Sequence, residues 1–171
     1  MKTITGICLA IFWVAFTGTL YGQNGTSKLI DSDLSFMQKA AQANLAEIET
    51  GKLAQSKSEN ADVKEFGGKM VQDHGKTLQE LQAIAAKKGA PLPSEPDDAH
   101  KALAKQLAFF SGKNFDKSYI AHAGVADHKA AKALFEKGAK SKDTDISAFA
   151  KKVLPDIEHH LQMAQKMAER A

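Results

Sequence analysis

The sequence predicts an all-α protein: a four-helix bundle of two helical hairpins joined by one long crossover that carries a short extra helix. Three observations lead there. Apolar residues recur at three- and four-residue spacing from Ser35 to the end of the chain. Aromatic residues make up only 7% of the 171 positions while Ala, Lys, Gln and Leu recur throughout, the composition of packed helices rather than of a sandwich or barrel. Finally, Asp62-Val63-x-x-Phe66-Gly67-x-Lys69-Met70-Val71-x-Asp73 matches Asp145-Ile146-x-x-Phe149-Ala150-x-Lys152-Val153-Leu154-x-Asp156 at a constant separation of 83 positions. A repeat of this kind marks a duplicated hairpin.

The first helix is expected from Ser35 to about Lys57, marked by Phe36, Ala40, Ala43, Ile48 and Ala54, and closed by the polar Ser58-Glu59-Asn60 turn. A second runs from about Asp62 to Lys88 with Val63, Phe66, Met70, Leu78, Leu81 and Ala85 on one stripe. Asp62 and Glu65 suggest a capping box at its start, and Gly89 with Pro91 stops it. Three of the four prolines fall in residues 90–96, a loop, before a short helix at about Asp97–Phe110. The third long helix covers about Phe115–Lys137 and the fourth about Thr144–Glu169. Pro155 lies inside the last pattern, but Phe149, Val153, Ile157, Leu161 and Ala164 keep the stripe on both sides, so the expectation is a kinked helix rather than a break. Two hairpins joined by one long connection form the ferritin-like arrangement, not an up-down-up-down bundle.

Ahead of the bundle, Lys2 and the unbroken apolar run Ile7–Phe16 read as a secretory signal peptide covering residues 1–22, with cleavage expected after Gly22. The alternative is an uncleaved N-terminal anchor. Residues 23–34 are expected to be disordered or extended, and the bundle to occupy 35–171. The run is shorter than the ~20 residues of a spanning helix. The only cysteine, Cys8, lies in this segment, so the exported chain has neither disulfide nor thiolate ligand. Loss of Lys2 lowers the net charge from +3 to +2, and the charges are mixed along the chain without a basic block, which argues against nucleic acid as a partner.

Polar side chains interrupt the apolar stripes. Phe36, Ala40, Ala43, Glu47, Gly51 and Ala54 put Glu47 in line with the core of the first helix. Met70, His74, Leu78 and Leu81 do the same for His74. Ala121, Val125, His128, Ala131 and Phe135 do it for His128, and Val153, Ile157, His160 and Ala164 for His160. At 1.5 Å per residue the four lie ~14–22 Å from their hairpin turns, within about two helical turns of one another. The small residues Ala43, Gly51, Gly67, Gly124 and Ala131 would let the helices close up there. A buried carboxylate without partners costs several kcal/mol. Two solutions are open: one transition metal (Zn, Fe, Cu or Mn) held by Glu47, His74, His128 and His160, or a polar network with trapped water. Among the other candidates, His122 beside Tyr119 is expected to be a partly buried packing residue, His159 to face outward, and His100 to lie on the surface of the crossover. Asp73 and Asp127 each precede a histidine; they either orient a histidine of a neighbouring helix or are solvated. Met163 and Met167 read as core.

Glu47-Ile48-x-x-Gly51-x-Leu53-Ala54, Met70-Val71-Gln72-Asp73-His74, Phe115-Asp116-x-x-Tyr119, Val125-Ala126-Asp127-His128 and Leu154-Pro155-x-x-Glu158-His159-His160-Leu161 together resemble the exported bacterial family called domain of unknown function 4142, sometimes labelled predicted outer-membrane proteins. The resemblance spans about residues 30–168. It implies a ferritin-like bundle and export to the periplasm or the outer membrane, with no settled activity. Helices this polar cannot span a bilayer, so after cleavage any membrane link would be peripheral. Di-iron bundles need Glu-x-x-His on two helices, and the sequence contains none, which argues against an oxidase or ferroxidase. No nucleophile–base pair, Gly-rich phosphate loop or pair of catalytic carboxylates is evident, so no catalytic residue is assigned and the chain leans away from being an enzyme. The expectation is therefore an exported bundle that binds one metal, in metal handling or envelope stress. The alternative is a metal-free envelope bundle acting through protein–protein or surface contacts, its inward polar residues fixing helix register.

Overall fold

The structure is a computed structural model and describes residues 29–170, so the expected signal peptide and its cleavage site lie outside the described residues. Helix α1 spans Asp31–Lys57, α2 Ala61–Lys88 and α3 Asp98–Phe109; α4 (Gly112–Tyr119), a π-helical stretch (Ile120–Asp127) and α5 (His128–Gly138) run on as one third bundle helix; α6 spans Thr144–Ala168. Helix α1 begins before Ser35, so residues 31–34, expected in an extended or disordered segment, form its first turn, with Asp31 and Asp33 suitably placed at the positive end of the helix dipole. The start of α2 also differs from expectation. Asn60, not Asp62, is the cap, its side chain accepting from the Asp62 amide at 2.9 Å. Gly89 closes α2 at φ 62, the left-handed conformation that glycine adopts without a Cβ penalty.

The duplicated hairpin is visible in the packing. The cap of α6 is Asp143, which accepts from Asp145 and Ile146, and it stands where the repeat places Asn60 of α2. Val63 and Ile146, Phe66 and Phe149, Gly67 and Ala150, and Met70 and Val153 are buried at matched positions. Helix α6 continues through Pro155, which sits on its exposed side.

The crossover runs along α1. Gln38 near the start of α1 donates to the Pro91 carbonyl (3.2 Å), and Lys57 at its end donates to the Ala108 carbonyl (2.7 Å). The chain therefore returns to the starting end of α2 before the third bundle helix begins. There Ser58 donates to the buried Asp116 carboxylate at 2.6 Å, while at the opposite end Gly138 meets the Phe36 ring and Lys88 pairs with Asp143 at 2.7 Å. Helix α2 and the third helix thus run the same way, as a ferritin-like bundle with one crossover requires. Two apolar clusters fill the interior, one around Phe36, Leu81, Phe135 and Phe149 and one around Phe66, Leu107, Phe115 and Tyr119. Met163 and Met167 pack against the second, as expected for core residues. The polar residues described below lie between the two clusters.

Small residues bring α1 and α2 together at this height. A Cβ on Gly67 would stand 2.7 Å from the Ala54 Cβ and 2.8 Å from the Gly51 carbonyl oxygen, and a Cβ on Gly51 would stand 2.7 Å from the Gly67 oxygen. Backbone cannot swing away as a side chain can. Gly67→Ala is therefore expected to destabilise the fold by about 2–3 kcal/mol, the upper part of the overpacking range, despite the better helix propensity of alanine. Gly75→Ala meets nothing within 4 Å and should be neutral or slightly stabilising. Paired urea melts measure both.

Candidate metal centre

His74 on α2, His128 at the start of α5 and His160 on α6 meet in the bundle interior. Their relative exposures are 7%, 0% and 2%, and every pair of ring centroids is 5.5 Å apart. One ligand nitrogen from each ring lies within 4.8 Å of those of the other two. Three buried histidines so placed could hold a metal ion.

Hydrogen bonds at one nitrogen of each ring settle the tautomers. His128 Nδ1 donates to the Ala123 carbonyl at 3.0 Å, and His160 Nε2 donates to the Asp73 carboxylate at 3.0 Å. His74 Nδ1 donates to Asn44 Oδ1 at 2.9 Å; the amide is fixed in that orientation because its Nδ2 donates to the Ala40 carbonyl at 2.7 Å. Each ring spends its N–H on a supporting acceptor. Each is then left with a lone pair on the other nitrogen: His74 Nε2, His128 Nε2 and His160 Nδ1. These three atoms are buried and have no hydrogen-bond partner among the described protein groups. Metal-binding histidines show the same division, one nitrogen ligating and the other anchored by a carbonyl, amide or carboxylate.

The rings are held neutral, the form that ligates. Burial lowers His74 well below the usual histidine range, reinforced by the other two rings. It brings His128 down to about 4, against the pull of its hydrogen bond to Ala123. Burial also lowers His160, although Asp73 works in the other direction. Burial opposes the charge on Asp73 itself, but hydrogen bonds from Lys69 and His160 outweigh it and keep that carboxyl ionised below the ordinary aspartate range.

Glu47, expected beside the histidines, is buried at the right height but on the far side of one ring. Its Oε1 approaches His128 Nδ1 at 3.4 Å, the anchored nitrogen, and it is not among the three grouped residues. Burial, followed by the charge of Asp127, raises the Glu47 pKa well above the usual glutamate range. Burial pushes both groups toward their neutral forms, which weakens this approach as an ion pair. Its Oε2 has no partner among the described groups, and neither does the buried hydroxyl of Tyr119, whose ionisation is opposed by burial and then by Glu47.

The third helix reaches this geometry through its π-helical stretch. A π turn closes i→i+5 rather than i→i+4 bonds and so inserts an extra residue into the helix face; such stretches occur often at functional sites. Tyr119, Ala123 and His128 consequently share the buried face, while Ala121, which an unbroken α-helix aligns with His128, is exposed. His122 is exposed rather than partly buried, and His159 faces outward as its spacing implies. Asp73 takes the role of orienting a histidine on a neighbouring helix. His100, expected on the surface, is half-buried, with Nδ1 2.8 Å from Asp97 and Nε2 4.0 Å from Asp127. Asn44 was missed. Its position three residues before Glu47, at helical spacing from Met37, Ala40 and Ala41 on what the structure shows to be a buried face, is the available signal.

The family model described as Domain of unknown function (DUF4142) matches residues 19–167. The chain belongs to this family. The DUF4142 chain matches no curated protein. Among solved structures it is similar to one described as the crystal structure of a DUF305 fragment from Deinococcus radiodurans, with 11% identity, a TM-score of 0.74, and coverage of 83% of this chain and 98% of that one. At that identity the likeness concerns the fold. No described helix of the DUF4142 chain is long and apolar enough to cross a membrane.

Proposed function

We propose that this protein is an exported bundle that binds one transition-metal ion through His74, His128 and His160, in metal handling or protection of the envelope from metal stress. The observation that carries the reading is the meeting of three buried imidazoles, each with one nitrogen engaged and the other without a partner among the described groups. Three neutral imidazoles without a carboxylate in the set favour Zn or Cu, then Fe, over Mn, which prefers oxygen donors. Asp73 supplies the one charge directly coupled to a ligand, through His160. Glu47, behind His128, gives up its proton when a cation arrives and so offsets the charge without joining the ligands. A three-histidine set leaves a further coordination position for water or a small molecule. Export rests on the apolar run at Ile7–Phe16.

Elemental analysis of the untagged chain, purified from the periplasm and then reloaded in turn with Zn, Cu, Fe and Mn, tests the proposal. About one equivalent of Zn or Cu per chain is expected, with Mn retained far less. Substoichiometric metal under every loading condition overturns it. Asp73→Asn is expected to weaken affinity by about 10–100-fold while leaving one site per chain, as loss of a partner behind a ligand does; titration against a competing chelator measures it.

A further inference from the structure

The three histidines are enclosed, so an ion reaching them needs a path that leaves the bundle folded. A cavity of about 500 Å³ between α1, the crossover and the third helix opens onto two of them, His74 and His128. Its inner end is formed by the buried Asn44, Glu47, His74 and His128, and its rim carries the half-buried Asp97, His100 and Asp127. The intervening wall is largely apolar, including Ala43, Ala131, Leu134 and Val153. Two lysines, Lys39 and Lys137, also line it, but Lys39 precedes Glu47 by eight residues and Lys137 follows Asp127 by ten. At 1.5 Å per residue they stand ~12–15 Å along the helices, so the acidic groups and the cations occupy opposite ends. The acidic end adjoins the histidines. Glu47 lines the same cavity behind His128, and its Oε2 is a buried oxygen with no partner among the described groups and lone pairs to offer.

We propose that this cavity is the port by which a divalent cation reaches the three histidines, with Asp127 and the Asp97–His100 pair capturing the ion at the rim and Glu47 passing it inward. This rests on the metal reading above. A half-buried carboxylate at the mouth of a low-dielectric cleft attracts cations more strongly than one on an open surface, and local fields of this kind change association rates by ~10–10³-fold. Asp127 also connects the two stages: its charge is felt by Glu47, and its backbone precedes His128 directly. The crossover helix thereby gains a role, since Asp97, which caps it, brings His100 to the rim with a hydrogen bond of 2.8 Å. None of the rim residues belongs to the grouped ligands, so the port predicts an effect on rate rather than on equilibrium.

The test is stopped-flow loading of the metal-free full chain with Zn²⁺ from a chromophoric chelator, with the dissociation constant and release rate measured in parallel. Asp127→Asn is expected to slow both loading and release by about tenfold and to leave the dissociation constant within about twofold. Ala43→Phe, which fills the cavity without removing a charge, is expected to slow both further. Wild-type loading rates in both variants overturn the port and leave the histidine site standing, as does a change in the dissociation constant with no change in loading rate. Failure of the wild-type chain to take up either Zn²⁺ or, in the same assay, Cu²⁺ overturns both readings.

Discussion

Stripping the metal from the native chain is expected to lower its melting temperature by about 10–20 °C. A ligand present at 1,000 times its dissociation constant stabilises a fold by about 4 kcal/mol, and each kcal/mol moves the midpoint of a domain this size by several degrees. His74→Ala should melt at the same temperature with and without a chelator, because two imidazoles from α5 and α6 no longer enclose a site. The metal-free forms of wild type and His74→Ala should differ much less. Among the described groups His74 Nε2 has no protein partner to lose, and the main cost of its removal is the hydrogen bond to Asn44 together with a small cavity. Calorimetry of the two proteins, each with and without chelator, gives the comparison. A chelator-dependent shift that persists in His74→Ala would place the metal elsewhere on the chain.

The metal-free chain is expected to lose stability steeply as the pH falls below about 6.5, and Glu47→Gln to be more stable than wild type at pH 7. The two effects have opposite signs. His74, His128 and His160 have folded pKa values below that of the unfolded chain, so the unfolded state binds more protons as the pH falls through 6.5. Their contribution is complete above 6.5 and is lost as the pH drops through the folded values. For His128, whose folded pKa is about 4, that is about 3 kcal/mol. Glu47 behaves in the reverse sense. Its folded pKa is raised above 4.5, so its contribution is complete below 4.5 and is lost as the pH rises. Three histidines outweigh one glutamate on the way down, which gives the net acid loss. Glutamine removes the glutamate term, so the Glu47→Gln advantage should shrink as the pH falls from 7 toward 4.5. Its metal affinity should fall by about 10–100-fold, since the charge behind His128 is gone, without the loss of uptake expected of a missing ligand. Urea melts of both proteins across that pH range test the signs.

The helices and the histidines were legible in the sequence for the same reason. A polar residue at i+3 or i+4 within an apolar stripe must enter the core, and three helices each carry a histidine there. The duplicated hairpin was legible because the packing positions repeat, Phe66 with Phe149 among them, whereas the matching caps Asn60 and Asp143 emerge only in the structure. Glu47 was placed at the correct height, but one helix rotation step decides whether a carboxylate faces the anchored or the free nitrogen of a neighbouring ring, and stripe counting does not resolve that. The π-helical stretch has no composition signal, so Ala121 was aligned with His128 when the extra residue turns it to the surface. His100 was unreadable for a different reason. Its burial depends on the crossover running along α1, which follows from contacts such as Gln38 to Pro91 that are 53 positions apart.

X-ray absorption at the edge of the bound metal tests the central claim most directly. The account predicts a first shell of three nitrogens at about 2.0–2.1 Å with the outer-shell scattering of imidazole, plus one further ligand such as a water oxygen, and a loss of imidazole scattering in His160→Ala. A first shell dominated by carboxylate oxygen, or one unchanged by removing any of His74, His128 and His160, would contradict it.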